Sequence, residues 1–301
     1  MALSSAAQPQ GWRLWVAGAR PRTLPAAVVP VAVGTAAVVG EADIIWWRAL
    51  AALIVSLALQ VATNYVNDYA DGERGTDTDR VGPMRLVGSG AASAADVKRA
   101  ALIAFGVAGV AGGALALAVG PELFVVGAVS MLAGWAYTGG PKPYGYLGLG
   151  ELFVFVFFGV VATVGSTYVH TEAVTTLSVV ASIPVGLVAV ALLVINNLRD
   201  IPGDTESGKR TLAVRLGDRV TRYVYVNLLS GLAVGVIVTG LGFRPLALLG
   251  LVGWATSLIP IRTVLAGAKG PDLIPVLGAT GRVQLLTGLL LAVGIALGGW
   301  A

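Results

Sequence analysis

Nine apolar stretches, near residues 23–40, 49–68, 96–119, 122–138, 151–169, 175–198, 220–241, 244–264 and 282–300, dominate this chain. Each matches the run of roughly 17–25 apolar residues that a helix needs to cross a bilayer. Inside lipid a segment must satisfy its own backbone hydrogen bonds, which leaves helices or a closed barrel. The pattern predicts an all-α integral membrane protein, with nine transmembrane helices in one bundle and residues 1–301 forming a single membrane domain. Charge agrees: 12% of residues are charged, against about a quarter in soluble domains.

Composition also limits the chemistry. The chain has no Cys, which excludes disulfides, thiolate nucleophiles and Cys-ligated metals. Its single His, His170, cannot by itself build a His-based metal site and is given no role. The 41 glycines read as close helix–helix packing in lipid. Residues 1–22 carry Trp12, Arg13, Trp15, Arg20 and Arg22, which suits a segment lying in the membrane interface better than a cleaved signal peptide. Pro25, Pro30, Pro184 and Pro260 are expected to kink or end helices, which bundles tolerate.

Lys and Arg are divided unequally. With nine spans, the N-terminus and alternate loops share one side, which takes 18 of the 20 Lys and Arg residues; the other side keeps Arg48 and Arg244. Basic loops mark the cytoplasmic face. The N-terminus and loops 69–95, 139–150 and 199–219, which would form the site, are therefore expected on the cytoplasmic side of the cell membrane. The net charge of +4 says little about partners, and no nucleic acid is expected.

Those loops hold most of the polar chemistry. Gln60, Asn64, Asp68 and Asp71 recur at helical spacing and share one face. Asp77 and Asp79 follow in a Gly-containing loop, among Arg74, Arg80 and Arg85. A second cluster at 196–217 spaces Asn196, Asp200 and Asp204 four apart and adds Lys209 and Arg210. The echo suggests a weak internal repeat, two half-bundles facing each other across a polar cavity, as is also common in transporters. Between the clusters, YTGGPKPYGYLGLGE at 137–151 supplies Tyr137, Lys142, Tyr144 and Glu151; its Gly and Pro content also fits a plain turn. Carboxylate oxygens suit Mg²⁺, which completes its shell with water and substrate phosphates. Interspersed Arg and Lys suit phosphate oxygens. A solvated helix end would explain scattered charges, but here they are concentrated while neighbouring helices have almost none. A polar cluster at a membrane boundary is a functional hypothesis by default. The residues by themselves point to a Mg²⁺-dependent enzyme acting on a lipid diphosphate.

Asn64-x-x-x-Asp68-x-x-Asp71, continued by Asp77, resembles the first Asp-rich motif of the UbiA superfamily of intramembrane prenyltransferases. Asp200-x-x-x-Asp204 resembles the second. That superfamily's fold is a nine-helix bundle. Three stretches, NDYADGERGTDTDRVGPMRLV, YTGGPKPYGYLGLGE and DIPGDTESGKRTLAVRLG, resemble the 1,4-dihydroxy-2-naphthoate polyprenyltransferase family of menaquinone synthesis. ARPRTLPAAVVP is similar to that family's entry into its first helix. One departure is Gly208, where many superfamily members carry a third acidic residue.

The resemblance implies Mg²⁺-dependent transfer of a polyprenyl group from polyprenyl diphosphate to 1,4-dihydroxy-2-naphthoate. Diphosphate and CO₂ are lost, and demethylmenaquinol forms. It implies Asp68, Asp71, Asp77, Asp200 and Asp204 as metal ligands, and Asn64, Asn67, Arg80, Arg85, Asn196, Lys209 and Arg210 on the diphosphate. Lys142 and Tyr144 would join Asp68, Asp71, Asp200 and Asp204 as catalytic residues. The acceptor's base stays open among Asp71, Tyr137 and Tyr144. The prenyl tail would lie in a groove open to membrane lipid; Phe153, Phe155, Phe157 and Phe158 would line it or face the lipid. Rival readings are another aromatic acceptor (4-hydroxybenzoate or homogentisate), a CDP-alcohol phosphotransferase, and a transporter for a cation or phosphate compound. Against the phosphotransferase, Asp68-x-x-Asp71-Gly72 is followed by Glu73, Arg74 and Gly75 instead of that motif's Ala-Arg. Against the transporter, the outer halves of the helices are nearly all apolar.

Overall fold

A computed structural model of the chain describes residues 9–75 and 84–300, and all regular structure among them is helical. In order these are α1 (Trp12–Ala19), α2 (Pro25–Ala36), α3 (Trp46–Glu73), α4 (Ala94–Val119) and α5 (Glu122–Ala136). Then come α6 (Gly150–Val154), a π-helical segment (Phe155–Val161) and α7 (Ala162–Thr171) as one continuous rod. The rest are α8 (Thr176–Glu206), α9 (Leu212–Gly242), α10 (Gly250–Ala255), α11 (Leu258–Leu265) and α12 (Leu273–Gly299).

The all-α membrane class holds, but the count of nine spans is not reproduced by length. Among the described residues six helices are long and apolar enough to cross a membrane, and the bent pair Pro245–Ala255 and Leu258–Leu265 makes a seventh. α2 and α5 are shorter, with 12 and 15 residues. Apolarity outlasts the helix in both places. After Ala36 the chain turns through residues 37–41, and α5 stops ahead of Gly139 and the positive-φ Gly140.

α8 is the most buried span and packs on α9, α12 and α2 around Val188, Ile195, Tyr225 and Leu291. A second core joins α3 to α4 through Tyr65, Val66, Val97 and Phe105, with Leu86 folded beneath. In lipid, helices gain little from apolar burial and associate through close packing of small residues. Gly34 illustrates this: a Cβ there would collide with the Thr163 carbonyl oxygen of α7.

The two cations that stood apart in the sequence have a structural use. Arg48 donates from Nη1 to the Val169 oxygen (2.7 Å) and from Nη2 to the Ala118 oxygen (3.2 Å), covering the C-terminal carbonyls of α7 and α4. Arg244 donates to the Gly298 oxygen at the end of α12 and to the Val39 oxygen beyond α2. The last four carbonyls of a helix have no partner within it; Arg48 satisfies two helix ends at once, and Arg244 joins the end of α12 to the turn beyond α2. Both lie at the end of the bundle opposite the acidic clusters, because α3 begins beside Arg48 and ends at Glu73.

Candidate active site

The site is assembled where α3, the 137–149 turn and the C-terminal end of α8 converge. Asp71, in the last turn of α3, is 3% exposed. Its Oδ1 accepts a hydrogen bond from Tyr146 Oη at 2.7 Å and lies 3.0 Å from Lys209 Nζ; its Oδ2 lies 3.8 Å from Arg85 Nη2. Lys209 follows α8, and Tyr146 belongs to the central turn. One buried carboxylate thus draws both acidic stretches and the turn together. Tyr146 is also flanked by cations, with Arg74 5.3 Å and Lys209 4.9 Å from its ring centre. Burial first, then the charge of Asp71, pushes the Tyr146 phenol above its ordinary pKa, so it remains a donor. Arg74 fixes the turn from the other side by donating to the Thr138 and Gly140 oxygens at 2.5 and 2.6 Å.

Asp68 has a different environment. It is 0% exposed, and its two oxygens accept from the backbone N–H groups of Leu86 and Val87 at 2.8 and 2.9 Å. It therefore anchors the chain returning towards α4. Asn64 and Gln60 are likewise turned to local structure. Asn64 Nδ2 donates to the Ala19 oxygen (2.9 Å) and Thr23 Oγ1 (3.0 Å), and Gln60 Nε2 donates to Thr23 Oγ1 (3.1 Å). These amides bind the 20–23 segment, which joins α1 to α2, onto α3.

On α8, Arg199 forms a two-point contact with Asp200: Nε to Oδ1 at 2.7 Å and Nη2 to Oδ2 at 2.8 Å. Nη2 also donates to Asn196 Oδ1 at 2.7 Å. Arg199 is 4% exposed, and burying it beside a carboxylate avoids an uncompensated charge. Sequence reasoning passed over Arg199, Tyr146 and Arg22 as site residues, although each adjoins a motif residue or the apolar run that opens α2. Asp204 accepts from Thr211 Oγ1 at 3.5 Å, and its backbone oxygen receives the Lys209 N–H.

A cavity of about 710 Å³ opens beside this constellation. Its polar lining includes Arg20, Arg22, Gln60, Asn64, Asn67, Arg85, Asn196 and Arg199; its apolar wall runs along α3, α5 and the α6–α7 rod as far as Leu115, Leu123 and Val169. Phe153, Phe157 and Phe158 line it, whereas Phe155 packs against Gly186 of α8. The intervening π-helical segment has a wider turn than an α-helix, a form frequent at functional sites. Tyr144 stacks on Phe153 at 3.9 Å and Tyr137 meets Tyr144 edge-on at 5.5 Å.

Several expected site residues fall elsewhere. Lys142 is exposed on the turn and does not line the cavity, because Pro141 and Pro143 hold it on the outer side. Arg210 is also exposed; its backbone N–H donates to the Tyr146 oxygen and its carbonyl accepts from Arg215. Tyr144 donates its hydroxyl proton to the Ala133 oxygen at 2.9 Å, and burial raises its pKa. A phenol so held is a poor base. Asp77 and Arg80 lie outside the described residues.

Among the described residues no three acidic or His side chains stand close enough to hold a metal by themselves. Mg²⁺ does not require such a cage, since it binds through one or two carboxylates and takes other oxygens from water and substrate phosphates. Asp71 and Asp200 stand behind the cavity's polar lining, 3.8 Å from Arg85 and 2.7 Å from Arg199, and with Asp204 they supply oxygen donors of that kind. The donor set fits a magnesium–diphosphate pair.

Comparison with known proteins agrees with this geometry. Residues 27–271 match the UbiA prenyltransferase family. A 1,4-dihydroxy-2-naphthoate octaprenyltransferase of Mycobacterium tuberculosis is 47% identical over 94% of this chain and 97% of its own length. The protein of that name from Escherichia coli is 37% identical over 95% of this chain and 96% of its own. Among solved structures, a UbiA homolog from Archaeoglobus fulgidus bound to GPP and Mg²⁺ superimposes with a TM-score of 0.68 at 14% identity, covering 94% of this chain and 99% of that one. An apo UbiA homolog from Aeropyrum pernix gives 0.71 at 15% identity, over 90% and 97%. The chain belongs to the UbiA prenyltransferase family.

Proposed function

We propose that this protein transfers a polyprenyl group from polyprenyl diphosphate to 1,4-dihydroxy-2-naphthoate, releasing diphosphate and CO₂ and yielding demethylmenaquinol. The observation that carries this reading is the 47% identity, across 94% of the chain, to a relative named for that activity. The cavity supports it, with a head rich in guanidinium and amide groups and a long apolar wall. Such a shape suits a substrate with an anionic head and a lipid tail.

In this reading the donor's C1–O bond breaks and its electron pair leaves with the diphosphate. Lys209 and Arg85, gathered on Asp71, neutralise the charge that develops there. Asn67 and Asn196 donate amide hydrogens to diphosphate oxygens. The allylic carbon, now electron-poor, is attacked by the electron-rich acceptor ring, and the ring carboxyl departs as CO₂. Mg²⁺, when bound, would supply further charge neutralisation, held by Asp71, Asp200 and Asp204. The tail rests along Phe153, Phe157 and Phe158. The unequal distribution of Lys and Arg supports a cytoplasmic position for this site.

The direct test is an assay on purified protein with a polyprenyl diphosphate, Mg²⁺ and 1,4-dihydroxy-2-naphthoate, reading product by mass, with 4-hydroxybenzoate in parallel. A prenylated product lacking the carboxyl group is expected. Product from 4-hydroxybenzoate alone would overturn the acceptor and keep the reaction class.

A further inference from the structure

Resting on the prenyl-transfer reading, we propose that Arg22 holds the carboxylate of the aromatic acceptor, and that the 20–23 segment is built to present it. This segment is strained and over-determined. Arg20 adopts a left-handed conformation (φ 54°, ψ 70°), which L-residues other than Gly seldom take, and Pro21 fixes the next φ. Such conformations persist only where surrounding structure enforces them, and they gather at functional sites. Here the enforcement is visible. Thr23 Oγ1 donates to the Arg20 oxygen at 2.9 Å, and the amides of Asn64 and Gln60 donate to Thr23 in turn. Arg20 Nη2 reaches the Asn64 oxygen at 3.4 Å. The outcome is a short rigid strap facing the cavity.

The cations on the cavity wall divide into two kinds. Arg85 lies near Asp71, Arg199 is bound to Asp200 and Asn196, and Arg20 reaches back to Asn64. Arg22 is exposed to the cavity and forms no hydrogen bond or ion pair with any described residue. The cavity lining also includes Ala26, one turn on in α2, and Ile274 and Leu277 of α12, the helix whose Gly281 lies against the Arg22 backbone. A guanidinium over an apolar surface is what a flat hydrophobic ring with a single carboxylate requires, since Arg binds carboxylate through two parallel N–H donors. The two substrates bring two anions: Lys209 and Arg85 at Asp71 serve the diphosphate, and Arg22 serves the other. Fixing the carboxylate also orients the ring towards the donor.

Equilibrium binding to the full-length protein tests this without turnover, using 1-hydroxy-2-naphthoate and 1-naphthol as a probe pair with and without the carboxylate. Arg22→Gln should lower the naphthoate-to-naphthol affinity ratio about tenfold, the size expected for one charge-assisted contact, and Arg22→Lys should restore part of it. In turnover, Arg22→Gln should raise the KM for the carboxylated acceptor more than that for the diphosphate. An unchanged affinity ratio, or a loss falling on diphosphate instead, overturns the assignment. If the wild type shows the carboxylate preference yet makes no prenylated product, the reaction is wrong and the carboxylate site stands.

Discussion

Lys209 Nζ lies 3.0 Å from Asp71 Oδ1, so the ends of α8 and α3, remote in sequence, share one buried ion pair. Both side chains are nearly enclosed, at 11% and 4% exposure. A pair this sheltered is held more firmly than a surface salt bridge, and removing one partner strands the other. Lys209→Ala should therefore act on the substrate that shares this corner. The KM for polyprenyl diphosphate should rise about tenfold, more than the KM for the acceptor, in steady-state assays. Equal effects on both would remove Lys209 from the diphosphate end.

Tyr146 completes the same corner by donating to Asp71 at 2.7 Å. Tyr146→Phe keeps the ring between Arg74 and Lys209 and removes only the hydroxyl. A hydrogen bond to a carboxylate contributes about 1.5–3 kcal/mol, so kcat should fall roughly tenfold or more through a misoriented Asp71. The acceptor KM should stay near wild type. A loss confined to thermal stability would make Tyr146 a packing residue.

Asp68 and Asp200 carry the same side chain in different settings, and their amide variants should fail for different reasons. Asp68→Asn turns an NH₂ group towards one of the two backbone N–H groups it now accepts from. That leaves a buried donor unsatisfied at a cost of about 1–3 kcal/mol, so detergent-solubilised protein should melt at a lower temperature as well as lose activity. Asp200→Asn takes the charge from the two-point partner of the buried Arg199, so it should abolish turnover and lower the melting temperature as well. An unchanged melting temperature in Asp68→Asn would refute its anchoring role.

Arg48 and Arg244 join helix ends far from the site. Arg244→Ala should uncover the Gly298 and Val39 carbonyls and cost about 1–3 kcal/mol. The melting temperature should drop while both substrate KM values stay unchanged. An altered KM would mean that the bundle transmits this end to the cavity.

Removal of divalent metal by EDTA should stop product formation, and added Mg²⁺ should restore it. Undiminished turnover in EDTA would leave neutralisation of the diphosphate to Lys209 and Arg85 alone.

Sequence by itself determined the class of molecule. Apolar runs in lipid can only become helices or a barrel, and the unequal placement of Lys and Arg marked one end of the bundle as the polar one. It also singled out Asp71, Asp200, Asp204 and Lys209, because carboxylates and cations clustered at helix ends stand out against an apolar background. Only the tertiary structure decided what each polar group does. Asn64, Gln60 and Asp68 share the helical spacing of Asp71, yet they bind the 20–23 strap and the chain at Leu86–Val87. Spacing tells which residues share a face, but not which backbone packs against that face. Lys142 and Tyr146 stand four residues apart in one turn, and the flanking prolines and the Arg74 contacts send only Tyr146 to Asp71. Helix length was likewise settled by packing and by Gly and Pro breaks, which end α2 and α5 before their apolar runs end. Hydropathy reports the solvent a segment prefers; where a helix stops, and which neighbour a side chain meets, depend on contacts between segments distant in the chain.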